Sequence, residues 1–127
     1  MTSNVPVLKN ESGQEAIPSE WREPIFKIVR AFAKGDYGLA TSVVDVRPIG
    51  AVAAKTIAVN LAAYGGTLIE LPDDTWRTSA CQWMRGYWDV LIDLFTLEEG
   101  ASDLVLALRV YEQGNGYSFE VQSVHVP

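Results

Sequence analysis

Residues 88–121 read WDVLIDLFTLEEGASDLVLALRVYEQGNGYSFEV, and their alternation decides the fold. From Trp88 to Thr96, Val90, Ile92 and Leu94 fall on one face of an extended chain and Asp89, Leu91, Asp93 and Phe95 on the other, because successive strand residues point to opposite sides. Leu104, Leu106, Leu108 and Val110 give a second strand an apolar inner face, and Tyr117, Phe119 and Val121 do the same for a third. The intervening residues 97–102, with Glu98, Glu99 and Gly100, and 113–116, with Gly114-Asn115-Gly116, have hairpin length and turn composition. An antiparallel three-stranded meander results. Val124 and Val126 lie on the parity opposite to Val121, which predicts a bulge or bend near Ser123.

Working outward, residues 76–89 (WRTSACQWMRGYWD) hold three of the four tryptophans, a tyrosine and the single cysteine. Trp83 and Trp88 are read as core, while Trp76 suits either core or surface. Before them, Asp73-Asp74 begins a turn, Pro72 ends a short strand over residues 67–71, and Gly65-Gly66 stops an alanine-rich helix over 51–64. That helix places Ala54, Ile57, Ala58, Leu61 and Tyr64 on one face. A short strand is expected around Thr41, Ser42, Val43 and Val44. An earlier helix runs to about Lys34, with Ser19 as N-cap, Pro24 tolerated near its start, Gly35 as the left-handed stop, and Trp21, Ile25, Ile28, Val29 and Phe32 at helical spacing. Residues 1–17 are polar and aperiodic, which reads as a flexible tail before a single domain over 18–127. Helices first and a meander after predict an α+β domain, two N-terminal helices packed on one antiparallel sheet.

Composition narrows the function. Hydrophobic residues make up 48% and charged residues 20% of the 127, a globular balance. The formal net charge is −6 and the ten Lys and Arg residues are scattered along the chain, so a nucleic-acid partner is disfavoured and a basic protein partner is favoured. One cysteine permits no internal disulfide, and the N-terminus lacks the basic start and apolar run of a signal peptide. A cytoplasmic protein is expected. With no apolar run long enough to span a bilayer, no membrane role is expected either.

Chemistry is sparse. Cys81 and His125 are the only thiol and the only imidazole, so a nucleophile and base would require these two to meet. No zinc or calcium ligand spacing is present. Asp89 and Asp93 share a strand face but stand about 13 Å apart with Leu91 between them, too far for a paired acid and base. Gly65-Gly66 precedes a strand rather than opening a helix, so it cradles no phosphate. No cofactor is expected.

The strings LPDDTW (71–76), CQWM (81–84), YWDVLIDLFTLEEGASDLVL (87–106) and the closing VHVP (124–127) resemble a family of small uncharacterised bacterial proteins, over residues 17–127. The resemblance brings no catalytic residues. It implies a class: small acidic proteins of this kind include immunity proteins, which neutralise a toxin of interbacterial competition by covering its active site. The leading reading is therefore a non-enzymatic binding protein for a basic toxin domain, using Asp73, Asp74, Trp76, Arg77, Asp89, Asp93, Glu98 and Glu99. A second reading is a small-ligand or enzymatic domain with an aromatic pocket of Trp76, Cys81, Trp83 and Tyr87. A third is an oligomer subunit pairing through a strand edge.

Overall fold

The computed structural model describes residues 4–127. It contains one antiparallel sheet with its strands in chain order: β1 (Glu15–Ala16), β2 (Ala80–Trp83), β3 (Trp88–Thr96), β4 (Gly100–Gln113) and β5 (Gly116–His125). Helices α1 (Arg22–Ala33) and α2 (Ala51–Tyr64) contribute their buried residues to a single core cluster with the even-numbered residues of β3 and β4. The fold is α+β, and the C-terminal meander lies where the alternation puts it. Val90 opposes Leu108 and Ile92 opposes Leu106, while Val110 opposes Phe119.

The expected change of phase in β5 is a bulge at Gln122. Leu108 pairs with Val121 and the adjacent Ala107 with Ser123, so one extra residue returns Val124 to the core. A second irregularity was not legible: Asp93 pairs with Val105 but Phe95 with Ala101. Ser102 seals that step, its Oγ donating to the Leu94 carbonyl (2.7 Å) and accepting the Leu104 N–H (3.1 Å).

Both helices match their periodicity. Ile25, Ile28, Val29 and Phe32 of α1 are buried, as are Ile57 and Leu61 of α2. Gly35 and Gly65 each adopt φ near 83°, the left-handed conformation that glycine enters without a Cβ penalty. Asn60 docks α2 on β5 by donating to the Val124 carbonyl (2.8 Å).

Four local expectations are corrected. Ser19 does not cap α1. It opens a 3-10 turn (Ser19–Trp21), and its hydroxyl accepts the Val5 N–H (2.7 Å). Residues 4–17 are not a loose tail: β1 pairs with β2, Ile17 is fully buried, and the Trp88 indole donates to the Leu8 carbonyl (2.9 Å). The arm attaches through backbone hydrogen bonds and two ion pairs, Glu11 with Arg85 and Lys9 with Glu112. Neither kind of contact leaves an apolar period. Residues 41–44 form no strand, and Val44 is 79% exposed, since β-branched residues need a strand edge to pair with. The β5 edge is met instead by residues 45–47, through a single bridge from Val46 to Phe119. Residues 67–71 likewise make one bridge, Leu68 to Thr96.

Candidate protein-binding face

Since both helices bury their apolar residues against the even-numbered face of β3, the odd-numbered face is left without a helix. It displays Asp89, Leu91, Asp93 and Phe95, with Leu91 42% exposed. Strand pairing sets Arg109 opposite Asp89, and Glu120 opposite Arg109.

On this face aromatic rings and guanidinium groups alternate across the strands. Arg109 lies over the Tyr87 ring at 4.5 Å and 3.6 Å from the Asp89 carboxylate. Tyr87 and Tyr111 stand 5.8 Å apart, centroid to centroid. Arg47, delivered by the segment beside β5, covers Tyr111 at 4.4 Å and pairs with Glu120 at 2.7 Å. Half-exposed ion pairs add little stability, since water screens them. Their effect is to hold long side chains in one arrangement, which lowers the ordering cost of a later association.

The eight residues named from sequence fall in three places. Asp89 and Asp93 belong to the open face. Asp73, Asp74, Trp76 and Arg77 sit on a 3-10 turn (Asp73–Arg77) that is fastened to the free edge of β3. Buried Thr75 donates its hydroxyl to the Asp93 carbonyl (2.6 Å) and lies 3.0 Å from the Ser79 hydroxyl, which in turn accepts the Asp93 N–H (2.9 Å). These two hydroxyls replace the strand that β2 is too short to supply. The turn therefore stands beside Asp93, with Asp73, Asp74 and Arg77 exposed and Trp76 half-buried under the Arg22 guanidinium (5.3 Å).

Glu98 and Glu99 are engaged elsewhere, at the β3–β4 turn. Glu99 accepts the Tyr64 hydroxyl (2.7 Å), tying the turn to the end of α2. Glu98 accepts the Thr67 N–H (2.7 Å) and hydroxyl (2.8 Å), and the backbone bond foremost holds its carboxyl below the ordinary value. A depressed folded-state pKa means that this contribution is present above the unfolded carboxyl's pKa and lost as acid protonates the group.

The four residues of the expected aromatic pocket do not converge on one pocket, because Cys81, Trp83 and Trp76 pack against the core and Tyr87 stands on the opposite face of the sheet. Cys81 pairs with Val90 and Trp83 with Trp88, so both face the core, and the Trp83 ring packs 4.5 Å from that of Trp88. Tyr87 stacks on Tyr111 instead, and Trp76 packs at the core margin under Arg22. Cys81 and His125 are also apart, on β2 and β5 with two strands between them. His125 bonds to the Ser123 hydroxyl (2.8 Å) instead. Burial, with a smaller effect of Glu15, pushes the Cys81 thiol up to about 11. A thiol reagent at mildly alkaline pH is expected to leave the folded protein unmodified and to label it fully in denaturant, since the thiolate is the nucleophile. Rapid labelling of the folded protein would contradict the burial.

Arg109 and Tyr111 were missed, although the hairpin register that sets Arg109 against Asp89 contains the signal. Arg47 had none, being 71 residues distant from the Ser118 hydroxyl to which it also donates. Among the described residues no helix is long and apolar enough to cross a membrane, and no group of three or more His, Cys, Asp or Glu side chains is placed to hold a metal ion.

No curated protein and no solved structure matches the chain. Residues 29–127, from the middle of α1 through all of β2 to β5, match the model of a family described as a domain of unknown function (DUF7668), and the chain belongs to that family.

Proposed function

We propose that the protein is a non-enzymatic binding module of the cytoplasm, of immunity type, which neutralises a basic bacterial toxin domain by occluding its active site. The observation that carries this reading is the helix-free sheet face, where Tyr87, Arg109, Tyr111 and Arg47 alternate beside Asp89, Leu91 and Asp93. Tyrosine and arginine are enriched at interfaces, and a fixed aromatic row flanked by acids combines apolar anchors with charge steering toward a basic partner. The exposed Asp73, Asp74 and Arg77 add charge beside the β3 edge, while Trp76 anchors their turn against the core margin under Arg22. Glu98 and Glu99 support the fold behind it.

The test is co-expression with the proteins encoded beside the gene, purification of any stoichiometric complex, and titration of variants. Leu91→Arg, or Asp73→Lys with Asp74→Lys, is expected to weaken association at least ~10-fold, equivalent to about 1.4 kcal/mol, with Tm nearly unchanged because all three positions are exposed. A partner whose affinity is indifferent to Leu91→Arg binds somewhere else, and that result overturns the assignment of the face.

A further inference from the structure

Three of the scattered cations meet in space. Lys27 and Arg30 of α1 and Lys34, the residue that caps its C-terminus, follow each other at three- and four-residue intervals and so line up along one side of the helix. They line a groove of about 380 Å³ whose other lining residues include 41–44, Thr41 and Ser42 among them. The volume lies in the range of small-molecule sites.

Asp36 is the one acid lining this groove, and its two oxygens are engaged: they accept the backbone N–H groups of Ala40 (2.8 Å) and Thr41 (3.3 Å) and so shape the loop wall. Glu23 ties Lys27 at 3.2 Å. Arg30 lies over Phe26 at 5.7 Å, and among the described residues neither Arg30 nor Lys34 joins an ion pair. Two cations without an acidic partner among the described residues thus share one concave surface with Thr41 and Ser42, in a protein whose net charge is −6.

We propose that this groove binds a small phosphomonoester, with Arg30 and Lys34 supplying charge and Thr41 and Ser42 supplying neutral donors. Arginine's planar fork and serine or threonine O–H groups suit phosphate oxygens. Cations at the end of a helix also stabilise its dipole, which explains Arg30 and Lys34 but not the presence of Thr41 and Ser42 in the same groove. The negative end of α1 opposes an anion with roughly half a charge, and two unit charges outweigh it. A polyanion is a poor occupant, because the adjoining recess of about 180 Å³ brings in Glu23 and Asp45 and ends the basic region there.

The experiment is titration of the full chain with inorganic phosphate, followed by amide chemical shifts, against sodium chloride at matched ionic strength. Saturable shifts confined to residues 30–44 are expected. They should weaken at least ~10-fold (about 1.4 kcal/mol) in Arg30→Gln with Lys34→Gln and persist in Lys55→Gln, which removes a cation on α2 outside the groove. Should the double variant lose its fold, Lys34→Gln alone, just past the end of α1, carries the test. Absence of saturation, equal shifts with chloride, or phosphate shifts indifferent to the loss of Lys34 would overturn the proposal.

Discussion

Trp88→Ala is expected to lower the unfolding free energy by about 3–5 kcal/mol, the range for deleting a buried tryptophan. The residue is 1% exposed at the start of β3. Its ring meets Trp21 edge-on at 5.1 Å and Tyr117 at 5.9 Å, with Trp83 stacked obliquely at 4.5 Å, so three elements lose packing together. The indole N–H also holds the arm by its bond to Leu8. Aromatic pairs of this geometry add roughly 0.5–1.5 kcal/mol beyond area burial, which places the expected loss toward the upper end. Trp83→Ala should cost distinctly less, because its ring is only half-buried and partly roofed by Lys9 at 5.0 Å. Urea unfolding of both variants measures the difference. A Trp88→Ala loss below that of Trp83→Ala would contradict the packing hierarchy.

Truncation immediately before Glu15 is expected to be the second large effect, on the order of 3 kcal/mol from lost apolar burial and hydrogen bonds. A loose tail would cost nothing. The segment supplies Val7 to the margin of the core, receives the Trp88 N–H at Leu8, exchanges two hydrogen bonds between Val5 and Ser19, and clamps Arg85 through both Glu11 oxygens at 2.8 and 2.9 Å. That clamp matters locally because Arg85 holds φ 60° in the β2–β3 turn, a conformation that side chains other than glycine adopt at some cost. Fluorescence-monitored urea unfolding of the truncated chain reads the loss directly, with the tryptophans as probes. Unchanged stability would return residues 4–14 to the status of a tail.

Periodic segments were legible and compensating ones were not. Alternation in 88–121 determined the meander and the identity of its buried face, and the parity shift at Val124 announced the bulge at Gln122. Helical spacing from Trp21 to Phe32 and from Ala54 to Tyr64 determined both helices, because in each case one face must leave water and the spacing records which. The sequence by itself also placed Asp89 and Asp93 together on a solvated face. Only the tertiary structure decided what closes the free edge of β3, where the hydroxyls of Thr75 and Ser79 stand in for a missing strand. It also decided that residues 4–17 are fastened to the domain, with Glu15 and Ala16 in the sheet, that Arg47 completes the aromatic row, and that Arg30 and Lys34 share a groove with Thr41 and Ser42. The physical reason is common to the first three, while the groove depends on how the loop after α1 folds back, which no period records either. Burial of apolar surface repeats with the period of the backbone and leaves its trace in one segment. A hydrogen bond or ion pair between distant segments needs only one residue on each side, and so has no period to read.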